Sequence, residues 1–310
     1  MSNYHATNGR LTRAAGFLAL AYAGLSGTAM AGAAAAAPAA SPAAYSYQSL
    51  DYPGSSQTIF WGINDFGELA GQTIVNGGDA HAIVYRHGHF ELLDPEKLGT
   101  YFSAAGGPND LGVTYGAYAD ASGAQHGFVL RRNNLETVDF PGHLNSNVDG
   151  INLFNVILGV YWDADKLFHG VIRSPGGRDT LFDVAGAVET YPLGLNDAGE
   201  SIGYWDTDPK GAVHGFYREA NGTITTLDVP GALATIAFAI NDVGQIAGYY
   251  FDTSGVIHSF IKTRGQYQTL DMPGAKGTLV TTINNFGAVS GEYLDATGHR
   301  HGFVGTPQGR

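Results

Sequence analysis

The chain has 310 residues, 45 of them glycine, and only 14% of its residues are charged. Its formal net charge of −12 argues against nucleic acid as a partner, because phosphates repel an acidic surface. Cysteine is absent, which excludes disulfides, cysteine-ligated zinc and thiol catalysis.

The first residues have the pattern of a secretory signal. Arg10 and Arg13 supply positive charge, and the apolar stretch AAGFLALAYA that follows is too short to span a membrane. An A-x-A cleavage site ends at Ala31, so we predict a signal peptide over residues 1–31, with a retained anchor as the alternative. Residues 32–44 are rich in Ala and Pro and predict a disordered linker. We therefore expect a secreted or periplasmic bacterial protein with no membrane span after cleavage.

One unit of 43 to 45 residues recurs six times between residue 45 and residue 310. Each copy contains an Asn, which falls at Asn64, Asn109, Asn152, Asn196, Asn241 and Asn284. A His follows 17 or 18 residues later, at His81, His126, His169, His214, His258 and His301. An Asp accompanies each unit, at Asp51, Asp94, Asp139, Asp183, Asp228 and Asp271. A period near 44 residues is typical of four-stranded propeller blades.

The elements within one copy support this interpretation. A run such as residues 234–241 predicts the first strand, and residues 244–250 predict the second. The segment that starts at each His predicts the third strand, and residues 267–271 predict a fourth. All are short, apolar or alternating, and bounded by turn residues, and no stretch after residue 44 has a sustained helical period. We therefore predict one all-β domain over residues 45–310, a six-bladed β-propeller, with a β-solenoid as the alternative.

The ends of the repeat predict how the ring closes. The last copy stops at HGFVGTPQGR and lacks a fourth strand, whereas residues 45–54 supply that piece before the first copy. The N-terminal strand would then complete the last blade and remove the open sheet edges of a linear array. The same segment could instead be the first strand of the first blade, and the sequence leaves this choice open.

The repeated polar residues favour structural roles. The N-D-x-G pattern predicts a tight turn in which the Asn side chain bonds the backbone two residues on, and Gly or Asn155 takes a positive φ. A Gly seven residues after each Asn predicts a bulge or a close approach of a neighbouring blade. For the six His residues, a hydrogen bond to a neighbouring turn is favoured over a metal ring.

The pattern I-N-x-x-G-x-I-x-G-x-Y, then H-x-F, then L-D-x-P-G-A resembles the HAF repeat of probable extracellular bacterial proteins. The H-x-F element is seen at His126–Phe128, His214–Phe216, His258–Phe260 and His301–Phe303. The resemblance covers about residues 45–304 and implies export and a repeat fold, but it brings no catalytic residues. Copies one and three depart most, with Asp94-Pro95-Glu96 in place of D-x-P-G and Leu153-Phe154-Asn155 in place of D-x-G.

Strand direction sorts the loops onto two faces. We name the face with the N-D-x-G turns and the strand 3–4 turns the turn face. The hairpin face carries the strand 2–3 hairpins and the D-x-P-G connections, and its longer loops are acidic. Aromatic residues lie just before these hairpins, nine residues after the Asn, at Tyr118, Tyr161, Trp205, Tyr250 and Tyr293. They could pack between blades, or point outward as stacking platforms for a glycan.

Two further features are candidate sites. His143 breaks the repeat and lies in a connection on the hairpin face, which makes it a candidate ligand contact. The pairs Asp163/Asp165 and Asp206/Asp208 space carboxylates as calcium loops do, although the rest of an EF-hand loop is missing. Asx turns are the alternative explanation for these pairs. Calcium is therefore a possible cofactor, and no other cofactor is predicted.

No nucleotide-binding loop, nucleophile elbow or zinc-protease motif occurs after the signal segment. We therefore predict a monomeric, non-catalytic module that binds an extracellular polysaccharide or protein. The alternatives are a propeller-type glycan hydrolase or lyase that uses loop carboxylates, and a structural envelope or matrix component. Convergence of non-repeated polar residues at the axial mouth would favour an enzyme, and their scatter would favour a binding module.

Overall fold

The computed structural model describes residues 45–75, 77–93, 102–132, 134–140, 145–208 and 212–308. The predicted signal peptide over 1–31 and the linker over 32–44 lie outside these residues. Within the described ranges the chain forms strands and turns, and none of it forms a helix that could cross a membrane.

Six four-stranded antiparallel units confirm the predicted six-bladed propeller. The strands of blades one to three are β2 (Ser55–Ile63), β3 (Leu69–Val75), β4 (Ala80–Arg86), β5 (His89–Leu92), β6 (Phe102–Gly106), β7 (Thr114–Ala119), β8 (Gln125–Arg131), β9 (Asn134–Val138), β10 (Ser146–Ile151), β11 (Ile157–Trp162), β12 (Phe168–Arg173) and β13 (Asp179–Phe182). The strands of blades four to six are β14 (Glu189–Leu195), β15 (Ser201–Asp206), β16 (Val213–Arg218), β17 (Ile224–Thr226), β18 (Ala234–Ile240), β19 (Ile246–Phe251), β20 (Ile257–Thr263), β21 (Gln266–Leu270), β22 (Gly277–Ile283), β23 (Val289–Leu294), β24 (Arg300–Pro307) and β1 (Tyr45–Ser49). A single parallel pair, Ala80 with Phe102, also joins blades one and two.

The N-terminal strand closes the ring. β1 pairs antiparallel with β24, from Tyr45 opposite Pro307 to Ser49 opposite Phe303. It is therefore the fourth strand of blade six, which decides between the two ways of dividing the repeat into blades. The closing strand covers the outer edge of β24 and gives blade six four strands, as in the other blades.

A β-bulge near the axis explains the glycine that follows each Asn by seven residues. In five blades the first strand is bulged three residues before its Asn, as at Trp61 and Phe238. The glycine lies opposite this irregular segment on the second strand. A Cβ on Gly248 would lie 2.1 Å from the carbonyl oxygen of Ile236. The predicted bulge is present, but the close approach comes from the same blade and not from its neighbour.

The repeated Asn holds the turn between strands one and two, as predicted. The Oδ1 atom of Asn64 accepts the N–H of Phe66 at 3.1 Å and the N–H of Glu68 at 2.9 Å. Gly67 has φ of 77°, and Asn155 in the third copy has φ of 59°, so both take the left-handed conformation that the turn requires. The Asn side chains also join blades, because Asn241 Nδ2 donates to the Asn284 carbonyl at 2.9 Å.

The core lies between neighbouring blades. Strand alternation places the Phe of each H-x-F element inward, and Phe128, Phe216, Phe260 and Phe303 are fully buried. One cluster joins Ile261 and Leu270 of blade five to residues of blade six. Each blade therefore buries its apolar face against the next, which fixes the two rims on which loops are displayed.

Candidate functional site

A His side chain held between two carboxylates recurs on the hairpin face. In the second copy, His126 Nδ1 bonds Asp139 at 3.0 Å, and its Nε2 lies 3.4 Å from Asp120. The contact between the His Nδ1 atom and the repeated Asp recurs in five copies, in the pairs His126–Asp139, His169–Asp183, His214–Asp228, His258–Asp271 and His301–Asp51. The hairpin carboxylate recurs in four, in the pairs His126–Asp120, His169–Asp163, His258–Asp252 and His301–Asp295. The predicted bond from each His to a neighbouring turn is confirmed in these copies, whereas Asp94 of copy one lies outside the described residues.

The repeated aromatic residues stack on these imidazoles. The ring centroids lie 5.0 to 5.4 Å apart in the pairs Tyr118–His126, Tyr161–His169, Trp205–His214, Tyr250–His258 and Tyr293–His301. The reason is register, because the aromatic residue and the His face each other across strands two and three, as Tyr250 does with His258. The imidazole therefore covers one face of each ring, and Tyr161 is only 7% exposed. A role for these five residues in ligand binding stays a prediction.

In two of these units, those of His126 and His301, the carboxylates raise the pKa of the imidazole. The hydrogen bond that the imidazole donates to Asp51 is the main cause that raises the pKa of His301, and Asp295 adds to it against the opposing effect of burial. Burial also opposes protonation of His126, but the bonds and charges of Asp139 and Asp120 outweigh it and raise its pKa.

The hairpin carboxylates accept hydrogen bonds from residues of their own turns. The bond from the Ser122 hydroxyl is the largest cause that lowers the pKa of Asp120 to about 2, and backbone N–H groups contribute. These Asp oxygens therefore hold the hairpins as Asx turns.

A ring of hydroxyl residues was not identified from the sequence. It lies six residues before each Asn, at Thr58, Ser103, Ser146, Thr190, Thr235 and Thr278. Thr235 Oγ1 accepts the N–H of Val229 at 2.9 Å, and Thr190 does the same for Val184 at 3.0 Å. These bonds fix the connection that carries the exposed Asp. The recurrence of a Ser or Thr at the same place in every copy could have revealed this ring from the sequence.

The predicted calcium pairs divide between surface and interior. Asp163 Oδ1 accepts the N–H groups of Asp165 and Leu167 at 2.9 and 3.1 Å, and the Asp165 side chain is exposed. Asp206 is buried on β15, whereas Asp208 is exposed. No group of three or more His, Asp or Glu residues within the described ranges is arranged to hold a metal ion. Calcium binding stays a prediction, as does a role for His143, which falls in the undescribed residues 141–144.

The turn face has a second ring of carboxylates, around the axis. Each Asn is followed by Asp65, Asp110, Leu153, Asp197, Asp242 or Asn285. A side-chain oxygen at this position accepts the backbone N–H of the preceding blade at 2.8 Å, in the pairs Asp65–Asp110, Leu153–Asp197, Asp197–Asp242, Asp242–Asn285 and Asn285–Asp65. Leu153 has no acceptor, so this circle of bonds is interrupted between blades two and three.

An axial cavity of about 140 Å³ opens inside this ring. Its walls include Ile63, Leu193 and Ile240, and its inner end includes Trp61 and Phe238. These two rings stack with centroids 5.7 Å apart, so aromatic side chains form part of the cavity wall.

Non-repeated polar residues in blades three to six are coupled electrostatically, since Asp149 acts on Tyr191 and Tyr204, and Glu292 acts on Tyr249. Asp149 occupies the bulge of blade three, its buried Oδ2 has no hydrogen-bond partner among the described residues, and burial raises its pKa well above the usual range. Asn147 nearby donates to the Tyr191 hydroxyl at 3.0 Å. In blade six, Glu292 is fully buried, accepts a bond from Arg300 at 2.9 Å, and has a pKa raised by burial to about 7. Neither Asp149 nor Glu292 lines the axial cavity.

Comparison with known proteins shows likeness in fold. No protein-family model matches the chain, and no curated protein matches it. A structure of SapL1 lectin in complex with alpha methyl fucoside has a TM-score of 0.53 at 14% identity, over 78% of this chain and 90% of that one. A triple mutant of AofleA from Arthrobotrys oligospora has a TM-score of 0.54 at 11% identity, over 84% of this chain and 86% of that one. TolB from Acinetobacter baumannii has a TM-score of 0.50 at 11% identity, over 79% of this chain and 65% of that chain.

Proposed function

We propose that this protein is an exported, non-catalytic module that binds an extracellular polysaccharide on its hairpin face. The observation that carries the proposal is the fivefold recurrence of one unit, an aromatic ring, an imidazole and a carboxylate, in which the carboxylate is exposed in four copies. A polymer of repeated sugars can contact several such units at once, which raises avidity without any single strong site. Membership in the HAF-repeat family, export and a monomeric state belong to the same proposal.

The chemistry of the unit suits hydroxylated ligands. The Asp139, Asp183, Asp228 and Asp271 side chains are exposed, and each is oriented by a bond to its His. Carboxylates fixed in this way accept hydrogen bonds from sugar hydroxyls, and the edges of the neighbouring rings offer apolar contact. Because the face is acidic, we expect a neutral polysaccharide to bind better than an anionic one.

The equivalence of the units argues against catalysis. Glycoside hydrolysis uses two carboxyl groups whose environments differ, one as acid and one as base or nucleophile. Here the same arrangement is repeated around the face, and neither of the buried acids that break the repeat, Asp149 and Glu292, lines the axial cavity. The likeness in fold to the SapL1 lectin, which was solved with a fucoside, supports the proposal at the level of architecture.

The experiment measures retention of the exported protein on immobilised neutral polysaccharides and on a glycan array. Asn in place of the exposed Asp keeps an acceptor for the His and removes the charge. We expect Asp228→Asn to weaken retention a few-fold, and the combined Asp139→Asn, Asp183→Asn, Asp228→Asn and Asp271→Asn variant to abolish it. Asp242→Asn on the turn face is the matched control and should bind as the wild type does.

Three outcomes would overturn the proposal. Release of shorter or unsaturated sugars during incubation would support the hydrolase or lyase alternative. Absence of any retained glycan would support a structural envelope component. Equal binding by the combined variant would place the site elsewhere. Melting curves with and without calcium test the cofactor prediction separately, since bound calcium must raise the melting temperature.

A further inference from the structure

The turn face carries exposed apolar side chains at one repeated position, two residues after each Asn. We name this set the apolar collar: Phe66, Leu111, Phe154, Ala198, Val243 and Phe286. Its five large members are 64–77% exposed and account for five of the nine exposed large hydrophobic residues in the described ranges. Single exposed apolar residues are ordinary, but an ordered group on one face marks an interaction surface.

Turn geometry does not require these residues to be apolar. The hairpins of the opposite face use a similar turn, in which the leading Asp accepts the N–H two residues on. At that position these hairpins have polar residues, namely Ser122, Asp165, Ser254 and Thr297. The same backbone conformation is thus built with polar residues on one face and apolar residues on the other. Because the turn forms with either a polar or an apolar residue at this position, we attribute the apolar residues of the collar to a surface that contacts the turn face.

The collar surrounds a mouth whose negative charge is compensated on one side only. The Asn285 amide donates to Asp65 at 3.1 Å and to Asp242 at 2.8 Å, which supplies a donor between these two carboxylates. On the other side of the ring, Leu153 stands between Asp110 and Asp197; its backbone N–H donates to Asp197, but its side chain offers no donor to either carboxylate. Burial, together with repulsion from neighbouring carboxylates, raises the pKa of both Asp110 and Asp197. Within the part of the chain that the structure describes, no Lys or Arg lines the mouth to offset this charge.

We propose that the turn face docks a protein partner that presents a Lys or Arg side chain to Asp110 and Asp197, above Leu153, and packs apolar side chains against the collar. The axial cavity behind the mouth gives such a side chain room to enter. A bare metal ion or small cation would leave the collar exposed, whereas a protein surface covers both features. This site is independent of the proposed polysaccharide site, which lies on the opposite face.

The charge of the mouth decides between possible occupants. A second copy of this chain, docked face to face, would bring two acidic rings together and is disfavoured by repulsion. An anionic lipid surface is disfavoured for the same reason. A basic partner gains from the attraction, and its apolar residues gain from removing the collar from water.

The test selects a random displayed peptide library on the full exported protein and then synthesises the enriched peptides. We expect a Lys or Arg flanked by apolar residues, and binding that weakens as salt is added. Asp110→Asn combined with Asp197→Asn keeps the acceptors for the backbone N–H groups and removes the charge. This variant should bind the selected peptides about tenfold more weakly. Phe154→Ser combined with Phe286→Ser should weaken binding by a similar factor.

Controls separate this proposal from the polysaccharide proposal and from misfolding. Asp228→Asn on the hairpin face should leave peptide binding unchanged, and each variant must keep the wild-type melting profile. A selected peptide remade with Glu in place of its basic residue should bind Asp110→Lys/Asp197→Lys better than wild type. Enrichment of peptides without a basic residue, or equal binding by the charge variant, would overturn the proposal. Collar-dependent self-association, or collar-dependent binding to vesicles of phosphatidylcholine and phosphatidylglycerol, would replace it by one of the disfavoured occupants.

Discussion

The closing strand β1 offers the sharpest test of the fold, through Tyr47. Its half-buried ring lies 5.9 Å from that of Phe303, and burial is the main cause that raises its pKa to about 12. Replacing a fully buried aromatic residue by Ala costs about 3–5 kcal/mol, so Tyr47→Ala should cost about 2 kcal/mol. For a domain of this size that corresponds to a melting temperature about 4–8 °C lower.

Tyr267 provides a matched control for Tyr47. It occupies the equivalent place on the fourth strand of blade five, where it is half-buried. Its ring centroid lies 5.4 Å from that of Phe260, and burial raises its pKa to about 12. Tyr267→Ala should therefore lower the unfolding free energy by a similar amount. The two variants differ in what they loosen, because only Tyr47 belongs to a strand that joins the two ends of the ring.

Hydrogen exchange distinguishes the two variants where melting does not. Tyr47→Ala should speed exchange along β24, whose outer edge is covered by β1, while the other five blades keep their protection. Tyr267→Ala should speed exchange in blade five and leave β24 unchanged. If Tyr47→Ala left both the melting temperature and the protection of β24 at wild-type values, ring closure by β1 would not contribute to stability.

Two further predictions concern one ion pair and one glycine. Because Asp51 raises the pKa of His301, the folded state holds the imidazole proton more tightly than the unfolded state. The resulting contribution to the free energy of unfolding is complete below about pH 6.5 and is lost as pH rises through the folded pKa. Asp51→Asn should therefore reduce the fall in unfolding free energy between about pH 6 and 8 in urea denaturation, and an unchanged profile would contradict the assignment. Gly248→Ala should cost about 3 kcal/mol, because its Cβ would lie 2.1 Å from the Ile236 carbonyl oxygen, whereas Gly176→Ala, with nothing within 4 Å, should melt like the wild type; equal melting of both variants would refute this reasoning.

The architecture could be predicted from the sequence because the repeat carries redundant information. Six copies of one strand pattern fix the number of blades, and the fourth strand missing from the last copy predicts closure by residues 45–49. The role of Asn64 and its equivalents also follows from local chemistry, since an Asn side chain reaches backbone groups two residues on. These features depend on short-range geometry or on counting, which a sequence displays directly.

The candidate sites depended on register, which the sequence displays poorly. The bulge at Asp149 inserts one residue into the first strand and breaks its period of two, so the direction of that side chain cannot be counted from the pattern. The contact between Tyr250 and His258 requires the register of strands two and three. The collar was visible as Phe66, Leu111 and their equivalents, but exposure had to be established before their apolar character carried meaning.

Ring symmetry gives the two faces different binding properties. A site on the hairpin face lies off the axis and recurs with every blade, so it suits a ligand that itself repeats. A site on the axis exists once, and a symmetric ring there could not orient an asymmetric partner. Leu153 and Asn285 break that symmetry, since one interrupts the ring of bonds and the other supplies a donor between two carboxylates. The residues that differ in copies three and six therefore make the axial mouth asymmetric. A protein docked there would be held in one orientation about the axis.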